Sequence, residues 1–367
     1  MNSVLLEFDA ALHTNADGKQ LRDGLSVVAQ VGNQLWVASD ESASLESLST
    51  TDGRVFKNHR TYPLANFLDL PSGDAQQEVD IEGLAYDGGY LWLIGSHSLK
   101  RKKPKVETGG NVAKDIARLA RVEEEGNRYL LARVPLVQSN SGLYEPRRTY
   151  QAAQGGRQTT TAARLDGDEN GNVLMEALKR DEHLGAFLNI PGKDNGFDIE
   201  GLAVDGERLF VGLRGPVLRG WSMILEIKVE KKGGTLLRLR KIGVDQRLYK
   251  KHFLQLGGLG IRELCIQGRG LLILAGPTMN LDGPVAVYCW RDALDVAAES
   301  LIGKQRLEKV FDVPYGQGAD AGKDHAEGMT MFSDDGSDTP SVLLTYDAPA
   351  DARKVGARSV RADVFAV

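Results

Sequence analysis

Asp80-Ile81-Glu82-Gly83-Leu84-Ala85 occurs twice in this chain, the second time unchanged as Asp198-Ile199-Glu200-Gly201-Leu202-Ala203. Each copy runs through a short Gly/Asp turn into a second apolar stretch, Tyr90-Leu91-Trp92-Leu93-Ile94-Gly95 and Arg208-Leu209-Phe210-Val211-Gly212-Leu213. Two short apolar runs about a glycine-rich turn read as a β-hairpin. Three looser copies keep the frame. Leu25-Ser26-Val27-Val28-Ala29 leads to Gln34-Leu35-Trp36-Val37-Ala38, and Ile261-Arg262-Glu263-Leu264-Cys265 leads to Leu271-Leu272-Ile273-Leu274-Ala275. Ala326-Glu327-Gly328-Met329-Thr330 leads, after a longer polar turn, to Val342-Leu343-Leu344-Thr345-Tyr346. Self-similarity of this kind marks a repeat architecture. Four-stranded units set around a ring make a β-propeller.

The second strand pair of each unit follows its hairpin. The clearest runs from Trp221 to Val229, turns, and continues from Thr235 to Ile242; the unit before it offers Ile116 to Val122 and Arg128 to Val134. The last unit draws a third strand from Ser359 to Val367 and is completed by Val4 to Phe8, so the ring closes by pairing the two ends of the chain and leaves no dangling edge. Hairpin starts fall at 25, 81, 199, 261 and 326, and the gap from 81 to 199 is about double the others. Residues 136–185 in that gap show no alternating pattern, and a helical run follows from Asn172 to Leu188. The expected fold is all-β: one propeller domain over 1–367 with five legible four-stranded blades, a degenerate sixth being the alternative. A partly helical insertion at 136–185, with a helix near 172–188, is expected over the channel mouth. There Arg147, Arg148, Arg157 and His183 would form either a lid or a passive cap.

Composition narrows the function classes. The 367 residues carry a net charge of −5 with both signs mixed, which is no polyanion-binding signature. The N-terminus lacks the basic and apolar regions of a signal peptide, and no apolar run approaches the roughly 20 residues that span a bilayer. A cytoplasmic location is expected, with Cys265 and Cys289 as unbridged thiols on the first and third strands of one blade. Phosphate-loop, nucleophile-elbow, zinc-protease and paired-cysteine motifs are all missing from the sequence.

The stretches Asp80 to Ser98, Asn195 to Ala203 and Gly212 to Trp221 resemble a bacterial family catalogued as domain of unknown function 3616. That resemblance covers nearly the whole chain and implies the fold while implying no catalytic residue. More remotely, the Glu-Gly hairpins are similar to those of phytase-like and lactonase-like propellers, an analogy of fold that does not fix function.

In a hairpin the start of the first strand and the end of the second lie together. One channel mouth should therefore gather Ser26, Asp80, Glu82, Asp198, Glu200, Arg262, His325 and Glu327 with Asp40, Glu41, Ser96, His97, Arg214 and Asp347. The plain reading is structural, with Glu82 or Glu200 pairing with Arg214 or Arg262 across the channel. As a ligand site, two chemistries compete. Glu82, Glu200, Glu327 and Asp347 suit a divalent cation such as Ca²⁺, which takes six to eight oxygens and can activate a bound water, with His97 or His325 as general base. Alternatively Arg214 and Arg262 clamp a small anion. Lys100-Arg101-Lys102-Lys103-Pro104-Lys105 beside this mouth is either a solvated charge run or an electrostatic funnel. Asp166-Gly167-Asp168-Glu169-Asn170-Gly171 copies half of a calcium loop but reads more economically as a turn capping a helix.

The expected function is binding of a small polar or anionic molecule at the mouth, with calcium-assisted hydrolysis of a phosphoester or lactone as its catalytic form. The alternative is a non-catalytic scaffold for a protein or nucleic-acid partner. Neither a membrane nor, in the leading reading, a nucleic acid is expected as a partner.

Overall fold

The computed structural model describes residues 2–14, 18–105, 111–151, 159–279, 281–333 and 339–367. The Asp-Ile-Glu-Gly-Leu-Ala hairpins open antiparallel meanders of four strands. The first meander orders Leu25–Val31, Gln34–Ser39, Ser44–Ser49 and Val55–Pro63. The second orders Ile81–Asp87, Tyr90–Gly95, Leu131–Gln138 and Ala163–Leu165. Asp198–Asp205, Arg208–Leu218, Trp221–Gly233 and Tyr249–Leu254 make the third. Gly260–Gln267, Gly270–Gly276, Val285–Trp290 and Glu308–Val313 make the fourth. The last orders His325–Phe332, Ser341–Asp347 and Ser359–Ala366, and Asn2–Glu7 completes it in antiparallel register from Asn2↔Val364 to Glu7↔Ser359.

The first strands touch in a closed cycle. Leu25–Val31 contacts Ile81–Asp87, then Asp198–Asp205, Gly260–Gln267 and His325–Phe332 follow, and the last returns to Leu25–Val31. Cores lie between successive meanders, and the one joining Val4, Leu343 and Val360 to Leu25, Val28 and Leu35 closes the circuit. Alternation along a strand feeds two cores at once. Leu271, Ile273 and Ala275 enter one, while Leu272 and Leu274 enter the next. Strands buried on both faces read as unbroken apolar runs, which is why the second strands were so plain in the sequence. These features define a β-propeller. Short parallel pairs also staple neighbouring outer edges: Leu5 and Leu6 to Val55 and Phe56, Arg164 and Leu165 to Leu236 and Leu237, and His252 to Leu254 against Ser300 to Ile302.

Three expectations need correction. The stretch expected as a strand at Ile116 to Val122 is mostly the helix Val112–Leu119, capped by Asn111, whose side chain accepts from Lys114 N. Its apolar residues Val112, Ile116 and Leu119 recur at helical spacing. Thr235 to Ile242 contributes only Leu236–Leu239, paired with the far end of a thirteen-residue third strand; Tyr249–Leu254 is the fourth strand of that meander. The helix expected near 172–188 is Val173–Leu178 alone. Asp181 stops it, because its carboxylate accepts from His183 N and Leu184 N and sets a turn. Residues 136–185 also supply the fourth strand of the second meander, Ala163–Leu165. Their helix packs into the core between the second and third meanders.

Candidate active site at the channel mouth

A bulge in every first strand builds the mouth. Pairing steps from Leu25↔Ser39 to Val27↔Ala38, from Ile81↔Gly95 to Gly83↔Ile94, and from Ile199↔Leu213 to Leu202↔Val211. The same slip separates Ile261 from Glu263 and Ala326 from Gly328. A bulge leaves one residue out of the ladder and re-aims its side chain. The residues displaced are Ser26, Glu82, Glu200, Arg262 and Glu327, which is the motif position where residue chemistry changes from copy to copy. Glycine follows where strands approach most closely. A Cβ on Gly83 would stand 2.7 Å from Leu202 Cβ in the next first strand, and Gly201 holds φ at +98° with Glu263 Cα at 2.9 Å.

The ring divides into a paired arc and an unpaired arc. Arg214 binds both Asp198 and Glu200, the latter at 2.6 Å. Arg262 reaches sideways to both neighbours, 3.2 Å to Glu200 and 2.8 Å to Glu327. Asp80 is held at 2.6 Å by Arg128, which also binds Glu78 at 2.5 Å and Glu125 at 2.8 Å. By contrast, Asp40, Glu82 and Asp347 have no ion pair among the described residues. A methyl group on Gly24 would lie 3.6 Å from Asp40 Oδ1 and 3.9 Å from Asp347 Oδ1, so these two carboxyls flank one point.

Crowding shows in the acidities. Burial, then the charges of Asp80, Asp347, Glu327 and Glu41, lift the Asp40 carboxyl to about 8. Burial and the neighbours Asp80, Glu200, Glu327 and Asp40 push Glu82 well above the usual carboxylate range. Burial raises Glu200 to about 7 despite Arg214 and Arg262, which pull the other way. Glu327 is raised by burial and Asp347, against Arg262 and Lys193. Carboxyls that keep a proton near neutral pH are one mark of functional sites.

A cleft of about 570 Å³ opens here. Its floor is Asp40, Asp80, Glu82, Asp198 and Arg214; its wall is the segment from Ser98 to Pro104 with Lys193. The basic run therefore does border the mouth, though much of its charge is neutralised locally: Lys100 by Glu78 at 2.8 Å, Arg101 by Asp194 at 2.6 Å, Lys102 by Glu123 at 2.7 Å. None of the described residues of 136–185 lines this cleft, against the expectation of a cover over it. Arg147 and Arg148 bind Glu145 and Asp69 on the outer surface, His183 packs on Phe253, and Arg157 lies outside the described residues. The calcium-loop look-alike is a turn leading into a cap, in which Asn172 accepts from Leu174 N and Met175 N.

Both candidate general bases sit elsewhere. His97 is buried away from the cleft, its Nδ1 donating to Gly95 O at 2.7 Å and its Nε2 accepting from Asn172 Nδ2 at 2.7 Å. Burial lowers it to about 4, and both nitrogens are used, so it orients the insertion rather than moving a substrate proton. His325 lies at the rim, 3.1 Å from Asp282. The expected cation ligands Glu200 and Glu327 are engaged by arginine, and no three acidic, histidine or cysteine groups among the described residues stand together at metal-binding spacing. The anion clamp fares no better, since Arg214 and Arg262 face carboxylates.

Sequence reading missed three contributors. Arg128 comes from the turn before a third strand, outside any repeat position. Lys193 lies in a linker. Glu263 occupies the motif's glycine position and is buried; its Oε1 accepts from Leu202 N at 3.0 Å and Leu264 N at 2.9 Å. Burial raises its carboxyl well above the ordinary range. Only the broken Glu-Gly pattern signalled it. At the far end of the channel, all the first strands line a second space of about 230 Å³ bordered by Leu84, Leu202, Leu264 and Met329. Cys265 is there too; both thiols are free.

Among solved structures, the chain is similar to glutaminyl cyclase of Myxococcus xanthus, with 12% identity over 100% of this chain and 98% of that one and a TM-score of 0.38. A β-fructofuranosidase of Bombyx mori, solved with sucrose, matches at 11% identity and a TM-score of 0.40; the match covers 93% of this chain but only 59% of the enzyme. The arabinanase of Bacillus subtilis matches at 12% identity over 93% and 96%, with a TM-score of 0.37. No curated protein matches in sequence. The model of the family described as Protein of unknown function (DUF3616) matches residues 24–363, a span that takes in every bulged hairpin, and the chain belongs to that family.

Proposed function

We propose that this chain is a five-bladed propeller that binds a small polar molecule at its acidic mouth, one rich in hydrogen-bond donors or bearing an amine. The observation that carries the reading is the unpaired arc: Asp40, Glu82 and Asp347 have no ion pair among the described residues, while Asp80, Asp198, Glu200 and Glu327 each have an arginine. Carboxyls crowded without partners favour a ligand that donates hydrogen bonds or brings positive charge. The five blades are supported by the closed cycle of bulged first strands. An anionic part of the ligand would be met only at the rim, by Lys193 and Lys103. Asp40, at about 8, retains its proton at neutral pH and can serve as a general acid, so hydrolysis of a small phosphoester or lactone is the catalytic form of this reading.

The test is a thermal-shift and calorimetric titration with glucosamine, spermidine, inorganic phosphate and calcium chloride, each also run on Asp40→Asn/Glu82→Gln. Stabilisation by the amines that vanishes in the double variant supports the reading. Stabilisation by phosphate alone, or by calcium alone, overturns it.

A further inference from the structure

The helix Val112–Leu119 is amphipathic with its faces reversed. Its polar side docks it on the preceding basic loop: the buried Asp115 accepts from Lys105 N at 2.8 Å, and Arg118 Nε donates to Lys103 O at 2.6 Å. Its apolar side faces solvent. Val112 is 74% exposed, Ile116 65% and Leu119 47%, and Val122 just beyond is 42% exposed. None of the four joins a hydrophobic core. Surface helices of globular proteins do the opposite, burying the apolar stripe. Lys103, Lys114 and Arg121 are exposed in and beside this helix, and none has an ion pair among the described residues.

We infer that this helix is a docking element for an anionic lipid surface. Charge complementarity names an anionic partner, since Lys103, Lys114 and Arg121 of this segment are exposed without an ion pair among the described residues. Patch size decides its kind. Four side chains make a patch of roughly a few hundred Å², far short of the about 800 Å² per partner of a stable protein interface. A short apolar face rimmed by Lys and Arg is instead suited to shallow insertion among anionic headgroups, where burial and electrostatic attraction add. The expectation of no membrane partner rested on the missing spanning segment. Among the described residues no helix is long and apolar enough to cross a membrane, and that does not bear on a contact made from one side.

The experiment is co-sedimentation of the full chain with vesicles of phosphatidylcholine alone and with a quarter phosphatidylglycerol, at low and high salt. Binding to the anionic vesicles only, weakened by salt, is expected. Ile116→Gln/Leu119→Gln should lower partitioning by about tenfold or more, and Lys103→Glu/Lys114→Glu should lower it comparably, with circular dichroism and melting unchanged because neither pair belongs to the core. Equal binding of wild type and both variants overturns the proposal, as does no binding at all. Self-association that the Ile116→Gln/Leu119→Gln pair abolishes would assign the patch to a second copy of this chain and likewise overturn it.

Discussion

The two identical hexapeptides meet different fates. In the second copy Arg214 grips Asp198 and Glu200 together, and Arg262 adds a third hand from the next blade. In the first copy Asp80 belongs to Arg128, and Glu82 has no ion pair among the described residues. Local sequence is the same, so the difference comes from what ends the second strand: Arg214 in one hairpin, Ser96 and His97 in the other. The next blade matters equally, since Glu82 looks toward Glu200 where Glu200 looks toward Arg262. A repeat thus delivers a carboxyl to a fixed place, and its neighbours decide whether that carboxyl is structure or site.

The sharpest way to break this contrast is Arg214→Met. It would strand Asp198 and leave Glu200 to Arg262 alone in a buried arc, and should cost about 3–5 kcal/mol in denaturant unfolding. Glu82→Gln in the first copy should leave stability unchanged or raise it. Comparable losses from the two substitutions would erase the distinction.

That contrast was only half legible beforehand. The convergence of Glu82, Glu200, Arg262 and Glu327 could be read from the repeat, because hairpin geometry fixes which ends meet; the bulges that re-aim them came only with the strand register. Closure by the N-terminal strand was equally plain from a last blade one strand short. Arg128 was not, since no repeat frame reaches the turn that carries it. Val112–Leu119 was misread because apolar residues were taken for buried ones, whereas this helix keeps them outside. His97 looked catalytic by position, yet a left-handed φ of 53° turns it into the wall.

A pH series sharpens the comparison next. Asp40 titrates near 8 in the folded protein against about 3.9 unfolded. Between those values the folded state holds a proton that the unfolded chain has lost, so stability falls as pH rises through the window. Asp40→Asn should flatten the slope from pH 5 to 8 and raise stability at pH 8 by roughly 1–3 kcal/mol. An unchanged slope would mean that the unpaired arc is less crowded than its geometry implies.

The smallest effect belongs to Ser26, the one neutral member of the ring. Its hydroxyl donates to Ile81 O at 2.8 Å and so ties the first blade to the start of the unpaired copy. Ser26→Ala should cost about 1 kcal/mol. Melting at the wild-type temperature would show that this tie holds nothing.

Glu7 and Arg358, 3.0 Å apart where the ends of the chain pair, are separated by 351 residues of sequence. Synthesis therefore delivers the two halves of that seam at opposite times. The strand Asn2–Glu7 leaves the ribosome ahead of the hairpins and must wait, edge open, until Ser359–Ala366 is released. The earlier blades can assemble in order as they emerge, but the ring cannot shut before that strand is free. Until then the chain is an open arc, with exposed strand edges of the kind that make incomplete folds prone to aggregate.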